Sequence, residues 1–137
     1  MIEREAKVGD DRAKIARVIY NRLEIGMKLQ IDATLYYNAP ADASFTDLKA
    51  LDTPYNTYLY KGLPPTPIAS PGRASIEAAL NPAPNPSSGD PICAGAPTPC
   101  RYLYYVLSDS DGGHAFAATL AQHEANVATA KAAGLLP

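Results

Sequence analysis

No apolar run in this 137-residue chain approaches the roughly 20 residues that a membrane-spanning helix needs, and its start shows no signal-peptide pattern. The chain as it stands is expected to be soluble, which leaves open where a longer parent would sit. It also lacks an excess of charge of either sign: 12 Lys and Arg against 14 Asp and Glu leave a net charge of -2. A nucleic-acid binder would show a basic patch and a high pI, so that class is set aside. Seven of the basic residues fall between Arg4 and Lys28; on an amphipathic helix they read as a solvated face rather than a docking surface. Histidine and cysteine are scarce, at two each. His114 and His123 belong to different elements and show no H-E-x-x-H spacing, so each reads as a surface or packing residue and no metal site is expected. There is no G-x-S-x-G and no phosphate-cradling glycine loop, and no organic cofactor is implied. Cys93 and Cys100 are not spaced as a C-x-x-C redox motif. A local disulfide between them is the favoured reading, with two free thiols as the alternative. Closing so short a loop is worth roughly 2–2.5 kcal/mol by chain entropy, and the bond would imply an oxidising compartment.

What is present reads as one domain over residues 1–137, long enough to bury about two thirds of its unfolded surface. A short helix over the first residues is interrupted at Gly9, and Asp10 is the expected N-cap of a second. Ile15, Ile19 and Leu23 recur at four-residue spacing with Ala16 and Val18 beside them, and Gly26 suits the C′ position, so residues 10–25 are expected to be an amphipathic helix. Asp32 is placed to cap a short helix carrying Leu35 and Tyr36, and residues 39–53 read as loop with a helical turn or two. Tyrosine and proline crowd residues 55–69, which predicts an ordered, extended segment. Its tyrosines suit either a carbohydrate groove or a core edge. Ser70-Pro71 is expected to open a helix running through Ile76 and Leu80. Residues 82–100 hold six of the 13 prolines and read as loop, the run from Pro82 to Ser88 as a mobile one. Residues 102–107 and 114–118 are predicted to form an antiparallel hairpin about the turn from Asp109 to Gly113. Thr119-x-x-Gln122 reads as a capping box opening a last helix that Gly134 closes. The fold class that results is α+β: mainly helical, with a small antiparallel sheet and long Pro-rich loops.

The stretch that carries chemistry is Ile2-Glu3-Arg4-Glu5-Ala6. At about 3.6 residues per turn, glutamates two apart lie roughly 200° apart around a helix, so they face different surroundings. One turned against apolar surface would have its charged form destabilised and would hold a proton near neutral pH, as a general acid must. The alternative is that both are first-turn glutamates favoured by the helix dipole. With nucleophilic, metal and phosphate chemistry unsupported, acid/base work by a carboxyl beside an aromatic groove remains, which is the equipment of glycoside cleavage.

These residues carry a resemblance. Ile2-Glu3-Arg4-Glu5-Ala6, Asn21-Arg22-Leu23, Gly26-Met27-Lys28-Leu29-Gln30 with Asp32, Asn56-Thr57-Tyr58, Gly62-Leu63-Pro64-Pro65, Pro67-Ile68 and Pro71-Gly72 are similar to the endolytic murein transglycosylase (MltG, or YceG-like) family. The similarity continues through Ala78-Ala79 with Pro82, Tyr104-Tyr105-Val106, His114, Phe116 and His123, nearly the whole chain in order. It departs at the cysteine-containing insertion between Pro82 and Arg101, where the family typically has a short link. Family members also carry a transmembrane anchor and a small LysM-like subdomain ahead of this region.

The resemblance implies a lytic transglycosylase acting within peptidoglycan glycan strands, with no cofactor, on the extracytoplasmic face of the bacterial cytoplasmic membrane. It further implies a membrane-anchored parent, with cell-wall synthases as possible partners. The catalytic glutamate, taken as the first of the E-x-E pair, lands on Glu3, which leaves Glu5 mainly structural. Gln30, Asp32, Asn56, Thr57 and Tyr58 are the candidate groove residues that orient the sugar or bond to Glu3. For Asn56-Thr57-Tyr58 a turn that pins the extended segment is the alternative, and for Asp32 a plain helix cap. Two other readings stand beside this one: a hydrolytic muramidase pairing Glu3 with Asp32, and a non-catalytic glycan-binding or scaffold domain of the cell-wall synthesis machinery.

Overall fold

A computed structural model describes every residue from Met1 to Pro137. Its longest element is the amphipathic helix that the four-residue spacing predicts. After a single helical turn, α1 (Ile2–Glu5), the chain bends through 6–8 and enters α2 (Gly9–Glu24). Ile15, Ala16, Val18 and Ile19 form its buried stripe. Ile15 and Ile19 meet Ala6, Leu29 and Ile31 in the core, with Met1, Ile2, Leu23, Ala33, Tyr105 and Phe116 packed around them. Burying each large aliphatic side chain there contributes about 1.5–3 kcal/mol. Asp10 does not cap α2. Val8 is the N-cap residue, and the neighbouring acid, Asp11, spends its carboxylate on His114 instead. At the other end the reading holds. Gly26 takes φ +67°, its N–H reaches Leu23 O and that of Met27 reaches Arg22 O, which is the Schellman pairing.

The chain then runs past Leu29 to Ile31 and into α3 (Asp32–Leu35) and α4 (Phe45–Ala50), the latter capped by Ser44 through Asp47 N–H at 3.2 Å. Asp32 is the first residue of α3, with Ile31 as N-cap, and bonds to Tyr58 rather than to the helix. Residues 53–60 are not extended: successive turns close through Asn56 N–H to Thr53 O and the N–H groups of Leu59 and Tyr60 to Asn56 O. The Asn56 carboxamide is the reason, since it offers this short stretch donors and an acceptor that a local ladder would otherwise supply. Residues 61–69 contain neither helix nor strand.

Helix α5 (Arg73–Leu80) begins two residues later than Ser70-Pro71 predicts, with Gly72 as N-cap. The Glu3 carboxylate of α1 sits at this helix start, accepting from the Gly72 N–H and the Ser75 hydroxyl. The loop from Pro82 is tied down over its first half. Ala83 N–H donates to Ala13 O, Arg17 Nε donates to Ala83 O, and Asn85 bonds Asn21 and the Tyr102 N–H. Beyond it a 3-10 turn (Pro91–Cys93) leads into the Cys93–Cys100 disulfide.

β1 (Tyr104–Leu107) and β2 (His114–Ala117) pair antiparallel, Tyr105 opposite Phe116 and Leu107 opposite His114. Asp109 closes their turn by accepting from the N–H groups of Asp111 and Gly113 at 2.9 Å each. α6 (Leu120–Ala132) packs across both strands, capped by Thr119 and ended by Gly134 at φ +73°. The Gln122 side chain closes the cap one residue early, on Ala118 N–H, while its amide nitrogen donates to Ile92 O and Ala94 O. The architecture is therefore α+β and mainly helical, with one two-stranded antiparallel sheet. No helix is long and apolar enough to cross a membrane.

Candidate active site

One turn of helix separates the two glutamates into unlike surroundings. Glu3 faces α5: its Oε2 accepts from Ser75 Oγ at 2.5 Å and from Gly72 N–H at 3.1 Å. The Ser75 hydroxyl first, then the Gly72 amide, holds the Glu3 carboxyl below the ordinary carboxylate range. Beside it lies a cavity of about 350 Å³ walled largely by apolar side chains such as Ile19, Leu63 and Ile76. A carboxylate stabilised this way has already lost its proton.

Glu5 faces the opposite way, into a polar groove. Half-buried, its Oε2 accepts from the Tyr105 hydroxyl at 2.9 Å. Burial raises its pKa above the ordinary value, the negative charge of Asp32 adds to that, and the Tyr105 hydroxyl opposes it without cancelling it. Asp32 in turn accepts from the Tyr58 hydroxyl at 2.5 Å, and burial with that bond keeps Tyr58 protonated. Lys49 Nζ sits 4.7 Å above the Tyr58 ring. Glu5, Asp32, Tyr58, Tyr105, Gln30 and Lys49 line one cavity of about 520 Å³, with His114 and His123 in its wall.

Gln30 is held there in a backbone state that residues other than glycine rarely adopt, φ +52°. Such a state costs on the order of 1–3 kcal/mol and persists only where the surroundings fix it. Here Gln30 N–H donates to Thr57 O at 3.1 Å. The buried Arg22 guanidinium gathers the adjoining carbonyls, donating to Lys28 O (3.0 Å), Leu29 O (2.9 Å) and, across the core, Leu103 O (2.7 Å). Thr57 sits beneath: its Oγ1 accepts from Ile31 N–H at 3.0 Å and bonds Thr34 Oγ1 at 2.8 Å. Asn56 donates to Leu48 O, Lys49 O and Leu51 O and accepts from Tyr58 N–H.

These contacts correct two expectations. Glu3 does not turn towards the groove that Tyr58 lines; Glu5 does. The Glu3 carboxylate is held at the positive end of α5 by two donors, the N-cap N–H of Gly72 and the Ser75 hydroxyl, and the 200° offset then directs its neighbour to the groove. Nor do Asn56 and Thr57 face the groove. They are 1% and 2% exposed, and their polar atoms are spent on backbone and on Thr34. They hold Tyr58, Ile31 and Gln30 in place.

A family model described as YceG-like matches residues 1–129 of the chain. The chain belongs to the YceG-like family. Its sequence is 41% identical over 126 residues to a Bacillus subtilis protein named endolytic murein transglycosylase, covering 90% of this chain and 30% of that one. A Streptococcus pneumoniae protein of the same name is 31% identical over 135 residues, covering 93% of this chain and 22% of that one. The crystal structure of a YceG-like protein from Listeria monocytogenes superposes with a TM-score of 0.69 at 38% identity, covering 90% of this chain and 36% of that chain. This YceG-like chain thus spans about a third or less of the length of each relative.

Within this YceG-like fold, Lys49, Tyr105, His114 and His123 are groove residues that escaped the sequence reading. Tyr105 is buried by the core on one side and reaches Glu5 on the other; its place in a strand composition hid its hydroxyl. His114 joins α2 to the sheet, its N–H and Nδ1 lying 2.8 and 3.1 Å from Asp11 Oδ2. His123 stacks on Tyr104 with ring centres 5.1 Å apart, and burial followed by the Arg22 charge lowers its pKa. A histidine taken singly gives no spacing signal, and both reach the groove only because α6 and β2 fold across it. No group of three or more His, Cys, Asp or Glu side chains is placed to hold a metal ion.

Proposed function

We propose that this chain is a peptidoglycan lytic transglycosylase in which Glu5, not Glu3, is the general acid and base. The observation that carries the reading is the Glu5 carboxyl, its pKa raised by burial and by Asp32, opening onto a polar cavity. In the forward step Glu5 protonates the glycosidic oxygen between N-acetylmuramic acid and N-acetylglucosamine, and the bond to the muramic C1 breaks. The resulting carboxylate, stabilised by the Tyr105 hydroxyl, takes the proton of the muramic C6 hydroxyl as that oxygen attacks C1. A 1,6-anhydro ring closes, Glu5 is again protonated, and no water is consumed. Asp32, fixed by Tyr58, sustains the Glu5 pKa, and Gln30 with Tyr58 orients the sugar. The relatives' name supports peptidoglycan as substrate. The Cys93–Cys100 disulfide suits an oxidising compartment, in keeping with a place on the outer face of the cytoplasmic membrane beside cell-wall synthases.

Glu5→Gln should lower the rate of glycan cleavage by at least about 100-fold, while Glu3→Gln stays within a few-fold of the parent. Release of anhydro ends from purified strands, followed by mass analysis, measures both; an active Glu5→Gln protein would remove the assignment. A hydrolytic muramidase is the second reading, because Asp32 supplies a second carboxyl in the same cavity. Products one water heavier than the anhydro form would favour it.

A further inference from the structure

The wall of the Glu5 cavity carries a cation that the proton transfers above leave unused. Lys49 lies in the last turn of α4, and Asn56 fixes its backbone by donating to Lys49 O at 3.1 Å. Its Nζ is seated on two aromatic faces, 4.7 Å from the centre of the Tyr58 ring and 5.9 Å from that of Phe45. Those two rings meet edge to face with centres 6.5 Å apart. The dipole of α4 favours a lysine at this position but does not lay it over Tyr58. The ring faces do that.

The ammonium held in this way has no anionic partner. The ion pairs of the protein are Arg73 with Glu77, Arg101 with Glu24 and His114 with Asp11. Asp32, in the same cavity, is taken up by the Tyr58 hydroxyl. Arg22, also in the wall, is 7% exposed and donates to the carbonyls of Lys28, Leu29 and Leu103. Lys49 therefore brings unspent N–H donors and a positive charge to a cavity whose acids are Glu5 and Asp32. An anion entering there is repelled by Asp32 unless a cation receives it. Of the two sugars that flank the bond Glu5 is proposed to break, only muramic acid carries an anionic arm, the lactyl group on its O3. In a bare strand the lactyl carboxylate is itself the anion. In a strand with peptide stems that carboxyl is an amide, and the anion is a carboxylate of the stem.

We infer that Lys49 is a specificity residue, the docking cation for a carboxylate on the lactyl arm of muramic acid, by which the groove tells muramic acid from N-acetylglucosamine. The inference rests on the proposed function for its substrate class. Calorimetry on the Glu5→Gln chain, with and without Lys49→Met, tests it against three ligands of equal length: bare peptidoglycan strands, strands with peptide stems, and uncharged oligomers of N-acetylglucosamine. Lys49→Met keeps the length and apolar stem of the side chain. It should weaken muramyl strands about fivefold, the upper end for an ion pair open to solvent, and leave the uncharged oligomer unchanged. Lys49→Arg should restore the preference. Added salt should erode the preference in the parent and not in Lys49→Met. A loss confined to bare strands assigns the contact to the lactyl carboxylate, and one confined to stem-bearing strands assigns it to the peptide. No loss, or an equal loss with the uncharged oligomer, would overturn the inference. If muramyl strands bind with this dependence but the parent releases no anhydro product, the proposed reaction falls and the docking contact stands. If Lys49→Met releases anhydro product with the parent's KM, the contact falls and the reaction stands. Failure of every strand to bind would overturn both.

Discussion

The two glutamates make opposite contributions to stability as pH changes. Glu3 has a folded pKa below its ordinary 4.5, so its stabilisation is present above that value and is lost as pH falls through the lower, folded one. Glu5 has a folded pKa above 4.5; its contribution is full below that value and is lost as pH rises through the higher, folded one. Thermal melts across the acid-to-neutral range should therefore show Glu5→Gln with a higher Tm than the parent at neutral pH. Glu3→Gln should show a lower neutral Tm and a flatter acid limb. Melting curves that move the other way would contradict the exchange of environments. On the proposed mechanism the cleavage rate should follow the protonated fraction of Glu5, with its alkaline limb where Glu5 ionises. The Tyr105 hydroxyl lowers that pKa; Tyr105→Phe should move the limb to higher pH and slow the reaction, which a pH–rate profile reads directly. That Glu3 and Glu5 differ was legible from their spacing. Which one is sheltered was not, because Ser75 and Gly72 lie about 70 residues away in the chain.

Among the elements, the turns at 53–60 hold the groove in shape although they contain no helix or strand. Asn56→Ala leaves the carbonyls of Leu48, Lys49 and Leu51 without their donor and should cost about 1–3 kcal/mol, measured by chemical denaturation. Cleavage should fall with it, since Tyr58 and Lys49 lose their anchor; unchanged stability would mean that the network is dispensable. Local signals revealed α2, α6 and the hairpin, because a four-residue spacing, a capping box, a turn between two strand compositions and two glycine helix ends are written in local residue types. They misplaced the start of α5, where Glu3 meets the Gly72 N–H and the Ser75 hydroxyl, and read 55–60 as part of an extended segment, where one carboxamide folds the chain on itself.

For the molecule as a whole, the disulfide loop packs on the start of α6, through the Gln122 amide on Ala94 O, and lies outside the Glu5 cavity. Cys93→Ser with Cys100→Ser should lower stability by about 2.5 kcal/mol by the chain-entropy relation and leave cleavage intact; a lost activity with stability retained would tie the loop to the groove. The bridge was legible from two cysteines in a short loop. By itself the sequence determined the fold class, the long helices, the hairpin and the stretch in which an acid must be sought, since these follow from spacing, caps and composition within a few residues. Tertiary structure alone decided that Glu5 is the glutamate whose pKa is raised, that the Tyr105 hydroxyl bonds it, and that it opens onto a polar groove. Burial and charge are set by neighbours up to about 100 residues distant, and no local pattern records which neighbours those are.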